Sequence, residues 1–339
     1  MKVLFWTGSN DGSSHYRAEL PAAALQWSGH STRIASQRIT QAEVEQADVV
    51  VVSRPAQPAA LQLIPKMRAA GKIVVADMDD DYFSIDEKSN PLAYRFWSTK
   101  MRENLVEGLN SCDALICASD GLADALMNRL RPDLPFGIIE NGLHAQYLGI
   151  PRDYDPEVIT LGWAGSQNTA AWIPQMARAV NLALATYPNV RFLSVGIPRI
   201  ELHRKGIENV QGRVGVVPWA QHGNQYLQTV AAFDIWLAPY SDIPFNRAKV
   251  PTKALEAGFL GIPLVASDIQ PYRQWAGTQG AGGYLVKHDH EWSRYIARLV
   301  GDAQLRKDLG VHGRGVASRN VMQSLGLQWA TFLEGMLAK

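Results

Sequence analysis

The chain alternates short apolar runs with longer stretches of mixed apolar and polar residues. KVLFWT (2–7) is the first run, and a Gly/Ser loop, TGSNDGSSHYR (7–17), leads from it into a helical pattern over 15–29. ADVVVVS (47–53) precedes a helical pattern over 57–70, and KIVVAD (72–77) ends in a cluster of acids. DALICAS (113–119) leads to GLADALMNRL, and FGIIEN (136–141) closes the front half. Runs such as VVVV suit strands buried on both faces. Strands alternating with helices predict a parallel sheet covered by helices on both sides.

Residues 142–157, GLHAQYLGIPRDYDPE, interrupt the pattern with Gly, Pro and acids and read as a linker. The alternation then restarts. Strands are expected at VITLGWAGS (158–166), VRFLSVG (190–196), GRVGVVPW (212–219), DIWLAP (234–239), PLVAS (263–267) and GGYLV (282–286). Helices are expected over 169–186, 220–231 and 251–260, and three helical stretches finish the chain. The fold class is therefore α/β, with two doubly wound Rossmann-like domains, 1–150 and 151–319, facing a central crevice. A C-terminal helix at about 320–339 is expected to pack back on the first domain. In open sheets of this kind ligands bind outside the carboxyl ends of the strands, so the loops there are where chemistry is sought.

Composition agrees with two domains. The 339 residues exceed one ordinary domain, and 47% hydrophobic content supplies two cores. A net charge of +1 gives no global electrostatic case for nucleic acid. Its distribution is uneven. Residues 1–150 carry 14 Lys and Arg against 18 Asp and Glu, a balance of −4, and the remainder carries 19 against 14, or +5. That split suits an anionic ligand held mainly by the back half. The two cysteines, Cys112 and Cys117, are five residues apart on an expected strand and point to opposite faces, which argues against a disulfide. They lack a nearby His partner, and no His/Cys spacing suggests zinc. MKVLFWTGSN reads as a first strand rather than a signal peptide, and no apolar run approaches the ~18 residues of a membrane span. A soluble, cytoplasmic protein is expected.

Four stretches could carry chemistry. In GWAGSQNTAAW (162–172) a strand ends at Gly165-Ser166 and a helix begins; Gly165 lets backbone approach a ligand, and helix-start amides favour anions. The same residues suit an ordinary strand-to-helix turn capped by Asn168 or Thr169. In the loop at 7–17, Ser13, Ser14, His15 and Arg17 could line the crevice; a polar loop with a helix cap is the alternative. In ADMDDDYF (76–83), Asp77, Asp79, Asp80 and Asp81 follow a buried strand, and four carboxylates so close repel. They could hold a hard cation, supply a general base or bind acceptor hydroxyls, or form a solvated acidic loop.

The fourth stretch is FNRAKVPTKALEAGFLGIPLVAS (245–267). Pro251 suits a first helical turn and Thr252 a cap. Lys249, Lys253 and free helix amides make an anion site. Glu256 falls one turn after Thr252, where its carboxylate could accept from two adjacent hydroxyls, as on a ribose. Phosphates at the helix start and ribose one turn in describe a nucleotide.

With these residues in place, the chain resembles the GT-B fold glycosyltransferases, in particular the glycosyltransferase family 4 type of bacterial polysaccharide clusters and phages. The resemblance covers most of the chain. It rests on GWAGS, DIWLAPY, the stretch 245–267 and LRKDLGVHGR in the back half. HYRAELPAAAL followed by GH, DMDDDYF before Asn-Pro, CDALICAS and ENGLH carry it in the front half. The family commonly has Glu-x7-Glu, and Glu256 matches the second Glu, which binds donor ribose. Ala248 stands where the first would be, as in a variant branch with Phe-Asn-x-x-Lys, so Asn246 and Lys249 are the candidates to replace it.

The resemblance implies a UDP- or GDP-sugar donor as substrate, retention of anomeric configuration, no cofactor and no essential metal. Donor contacts then fall to Gly165, Ser166, Trp219, Asn246, Lys249, Pro251, Thr252, Lys253 and Glu256, with the base near Val217-Pro218-Trp219. Catalytic roles fall to His15, Asp79, Asp80 and Lys249, and acceptor contacts to Ser13, Ser14, Arg17, Asp77 and Asp81. The acceptor stays open among a glycan, a lipid-linked sugar, a protein and a modified base in phage DNA, and peripheral membrane contact stays open with it. A sugar-nucleotide binding protein without turnover and a GT-B epimerase are the other readings.

Overall fold

The structure, a computed structural model, describes residues 1–8, 12–150, 157–219, 223–280 and 282–338. Residues 9–11 of the expected first loop, 151–156 of the expected linker and 220–222 of the expected helix 220–231 lie outside the described residues. The chain divides into two compact units. Unit 1 comprises Met1–His144, Ala248–Val250 and Asn320–Lys339; unit 2 comprises Ala145–Arg247 and Pro251–Arg319.

Unit 1 is built on six parallel strands: β1 (Lys2–Thr7), β2 (Ser31–Ser36), β3 (Val49–Ser53), β4 (Ile73–Met78), β5 (Ala114–Cys117) and β6 (Phe136–Ile138). Their order is β2-β1-β3-β4-β5-β6. Val49 to Val52 are all buried, as are Val3 to Trp6 and Val74 to Ala76, because a parallel sheet has helices on both faces and no wet side. The chain moves outward from β1 to β2, then reverses to β3 on the other side of β1. The carboxyl ends of β1 and β3 therefore form the topological switch point, where a crevice opens in such sheets. The C-terminal helix Met322–Leu337 belongs to this unit and packs on the helix Leu20–Trp27; a Cβ on Gly326 would stand 2.6 Å from that of Ala24.

Unit 2 repeats the plan with β7 (Ile159–Ala164), β8 (Val190–Val195), β9 (Val214–Val217), β10 (Ile235–Ala238), β11 (Leu264–Ser267) and β12 (Gly283–Val286). The order β12-β11-β10-β7-β8-β9 puts the switch point between β7 and β10. Leu161, Trp163, Val180, Phe192, Ile235 and Leu237 form part of one buried cluster.

Several local expectations are corrected. The pattern over 15–29 is a π-helical turn, His15–Glu19, followed by the α-helix Leu20–Trp27. The pattern over 169–186 begins as one 3-10 turn, Thr169–Trp172, before the helix Pro174–Thr186. Cys112 is not on a strand but closes the helix Thr99–Ser111. Both thiols are free and buried. Among the described residues no helix is long and apolar enough to cross a membrane.

Candidate functional site

In unit 1 the carboxyl end of β4 carries the acidic run, and the four carboxylates point to different partners. Asp77 lies in the interior. Arg17 Nη2 donates to its Oδ1 at 2.6 Å, and Nε lies 3.2 Å from both oxygens. Arg17 also donates to the Ile139 carbonyl at 2.6 Å and lies over the Trp329 ring, 5.3 Å from its centroid. Both side chains are at most 2% exposed. Arg17 and Asp77, expected among the acceptor contacts, thus join the first helix, β4 and the C-terminal helix of the unit. Asp81 is buried as well, and its Oδ1 accepts from the Phe83 amide at 3.1 Å in a local turn. Ser14 is buried too.

Asp79 and Asp80 are the half-buried pair. Tyr82 Oη donates to Asp79 Oδ1 at 2.8 Å, and Arg54 Nη1 reaches the same phenol oxygen at 3.3 Å. Lys249 Nζ donates to Asp80 Oδ1 at 2.6 Å. Burial pushes the Asp79 carboxyl up, but the Arg54 charge and hydrogen bonds from Ser13 and Tyr82, with Lys249 behind them, outweigh it and hold Asp79 below its ordinary value. Asp80 is raised: burial outweighs the Lys249 charge, and the Asp79 charge adds to burial. Two neighbouring carboxyls pushed in opposite directions are suited to separate acid and base roles. The Tyr82 phenol is raised well above its ordinary value, chiefly by burial, so it stays a hydrogen-bond donor.

Lys249 was expected with the donor groups of the back half. Instead Ala248–Val250 belongs to unit 1, where Ser119 Oγ donates to the Ala248 carbonyl at 2.6 Å. Arg54 and Tyr82 belong to this group although no motif marks them. Arg54 directly follows β3 at the switch point with φ 52°, a left-handed conformation that costs a non-glycine residue energy and gathers at functional positions. His15 is bound to Glu19, with Nδ1 and Oε2 2.7 Å apart, and its Nε2 is buried with no partner among the described residues. Among the described residues no group of three or more His, Cys, Asp or Glu could hold a metal ion.

In unit 2 the helix Thr252–Leu260 has Pro251 as its N-cap and Thr252 as its first residue, so Thr252 is not the cap. It ends at Gly261, whose φ of 66° lets the chain turn back into β11. Ala254 through Leu260 are all buried, Glu256 among them at 3% exposed. A buried carboxylate requires hydrogen-bond partners, and Tyr226 Oη donates to Glu256 Oε2 at 2.8 Å. The Tyr272 phenol is raised well above its usual value by burial first, with Tyr240 and the Glu256 charge adding to it.

The Tyr226 ring leads on to Trp219, with centroids 6.3 Å apart, and Trp219 is half exposed just past β9. Gly196 follows β8 with φ 112°; a Cβ there would lie 2.2 Å from the Gly165 carbonyl and 3.0 Å from the Trp219 ring. Gly165, Gly196 and Trp219, at the carboxyl ends of β7, β8 and β9, therefore form one contiguous group with Tyr226 and, at its buried end, Glu256. The turn at Gly165 has its own packing reason: a Cβ would stand 2.1 Å from Thr169 Oγ1. Ser166 O accepts from the Thr169 and Ala170 amides and from Thr169 Oγ1 at 3.0 Å, and Asn168 makes no side-chain cap bond. Asn246 is fully buried; its Nδ2 donates to the Ser241 carbonyl at 2.9 Å, and its Oδ1 has no partner among the described residues. Lys253 is half-buried on the first turn of the helix. Gly196 and Tyr226 are the two members of this group that sequence reasoning missed.

No protein-family model matches the chain, and no curated protein sequence matches it. Solved structures do. HepE from Anabaena, in complex with UDP-glucose, aligns over 99% of this chain and 100% of its own with a TM-score of 0.69 at 15% identity. A glycosyltransferase from Rickettsia africae aligns over 100% of this chain and 98% of its own, with a TM-score of 0.70 at 11% identity. The sucrose-phosphate synthase from Thermosynechococcus elongatus aligns over the whole of both chains, with a TM-score of 0.70 at 14% identity. At these identities the likeness is one of fold. The chain has the α/β architecture of GT-B glycosyltransferases, with two parallel six-stranded sheets flanked by helices.

Proposed function

We propose that the chain is a glycosyltransferase that uses a nucleotide-sugar donor, a UDP- or GDP-sugar, with the nucleotide bound by unit 2. One observation carries this reading. A buried glutamate, Glu256, sits in the second turn of a helix at the switch-point edge of a parallel sheet, held by Tyr226 beside the half-exposed Trp219. A carboxylate in that position accepts from the two hydroxyls of a ribose. The indole offers a face to the base. The first amides of the Thr252–Leu260 helix and the Lys253 amine attract the diphosphate. The UDP-glucose complex of HepE, on the same fold, supports the choice of donor class.

Chemistry follows from charge. As the bond from the anomeric carbon to the leaving phosphate breaks, negative charge builds on that phosphate, and fixed cations and amides lower the barrier. Lys253 and the first amides of its helix are the candidates for this role, while Lys249, bound to Asp80, stays with the unit 1 group. The acceptor hydroxyl, whose oxygen replaces the phosphate on the anomeric carbon with retention of configuration, is assigned to the unit 1 group. There Asp79 is held anionic and takes the proton that the acceptor hydroxyl gives up, and Asp80 is raised. A family 4 relationship, with Asn246 and Lys249 in place of the first Glu of Glu-x7-Glu, fits Asn246's buried, unpaired Oδ1.

The test is a product assay with UDP-glucose and a panel of other UDP- and GDP-sugars, first alone and then with candidate acceptors. Release of nucleotide together with a new glycoside is expected. Intact donor in every mixture, despite nucleotide binding, would instead mark a binding protein, and an isomerised donor an epimerase.

A further inference from the structure

The helix Pro91–Phe96 has no buried residue. Leu92 is 69% exposed, Phe96 57% and Tyr94 37%. Among the described residues no other stretch of five carries three large exposed apolar side chains. A six-residue helix of this composition is not apolar for the sake of the core. It is nevertheless held in place. Asn90 caps it by accepting from the Ala93 amide, Pro91 opens it, and the next residue, Trp97, is buried and stacked on Tyr82 with centroids 4.0 Å apart. Leu92 and Phe96 are four residues apart and form one stripe on the outer face.

Charge around the stripe has one sign. From residue 88 through 102 the sequence carries Lys88, Arg95, Lys100 and Arg102 and no acid, in a front half whose balance is negative. Lys88, Arg95 and Lys100 are exposed, and Arg102 lies over the Tyr94 ring, 5.2 Å from its centroid. Acids bound the run rather than enter it: Asp86 and Glu87 precede it, and Glu103 follows, 3.8 Å from Lys100.

We propose that this helix docks unit 1 on an anionic lipid surface, with Leu92 and Phe96 entering the acyl boundary and the three exposed cations, Lys88, Arg95 and Lys100, meeting the headgroups, while Arg102 holds the helix by donating to the Tyr82 carbonyl at 3.0 Å. Apolar side chains ringed by Lys and Arg are the composition of segments that lie in a membrane interface. A polynucleotide would engage the same cations but leave the aliphatic Leu92 in water, and an acidic protein surface would leave the stripe equally without a partner. The docking element sits one stacked pair from the acidic group, since Tyr82 both stacks on Trp97 and donates to Asp79. The inference stands apart from the donor reading, because lipid binding needs no nucleotide.

Co-sedimentation of the full chain tests it, with vesicles of phosphatidylcholine alone and of phosphatidylcholine mixed with phosphatidylserine. The wild type is expected to sediment with the mixed vesicles only, and less as salt is raised. L92S, at the most exposed position, and R95E/K100E should each keep the wild-type melting curve and lower partitioning roughly tenfold or more. Wild type left in the supernatant with both vesicles overturns the proposal, as does an L92S chain that binds like the wild type. Binding of duplex DNA that is lost in R95E/K100E but kept in L92S, without vesicle binding, overturns it in favour of a polynucleotide.

Discussion

Arg17 and Asp77 are bound to one another through two guanidinium nitrogens in the interior of unit 1, sixty residues apart in sequence. Breaking a buried pair leaves one charge uncompensated and typically costs about 3–5 kcal/mol. Arg17→Met should therefore lower the urea midpoint strongly, whatever its effect on activity. An unchanged midpoint would show that Arg17 serves a ligand rather than the fold.

Asp79 and Asp80 lead to a different expectation, because both are half-buried. Asp79→Asn and Asp80→Asn should leave nucleotide binding nearly intact, since Glu256, Tyr226 and Trp219 belong to unit 2. Transfer should fall by about 10²–10⁴-fold, the usual worth of one proton-transfer group. Sign also follows for pH. Asp79 is held low, so transfer is lost only as pH falls below the ordinary carboxylate range. Arg54→Met removes the charge that most opposes burial and should move that acidic limb upward. Loss of nucleotide binding in the Asp variants, measured by titration, would place the acidic run in the donor site.

Divalent metal is expected to be dispensable. Asp77 and Asp80 each face a cationic side chain, Asp79 lies in the field of Arg54, and Asp81 is turned to a backbone amide. Transfer measured in EDTA should match the untreated rate. Loss on chelation with rescue by Mg²⁺ or Mn²⁺ would contradict this.

The cysteines offer a check on the core of unit 1. Burial pushes both thiols up to about 12. At pH 8 only about one thiol in 10⁴ is then ionised, and the thiolate is the reactive form. Neither Cys112 nor Cys117 should react with a thiol reagent until denaturant is added. Rapid labelling of the native chain would contradict the packing of β5.

Legibility in the sequence followed physical strength of signal. VVVV, VLFW and PLVA announce strands because burial on both faces leaves nothing polar in them. β2, STRIAS, escaped because it is an edge strand with one buried residue in six, so neither a run nor an alternation survives. The place of Glu256 one turn after Thr252 could be read, since spacing along one helix is local. That Arg17 and Asp77 pair in the interior could not be read, because the pairing is tertiary and a charged residue carries no mark of its burial. Arg54, Tyr82 and Tyr226 are single residues whose meaning comes from neighbours far away in sequence. Lys249 was read with the helix that follows it, and only the fold shows that residues 248–250 pack in unit 1.

The central claim is a nucleotide held by Glu256. Calorimetric titration of UDP and of GDP into the wild type, Glu256→Gln and Tyr226→Phe tests it most directly. One of the two nucleotides should bind the wild type. Glu256→Gln should lose about 1–3 kcal/mol of that affinity, the range for hydrogen bonds to a charged group, and Tyr226→Phe about 1 kcal/mol through the loosened carboxylate. Equal affinity in the wild type and Glu256→Gln, with both chains folded, would contradict the account, as would a wild type that binds neither nucleotide.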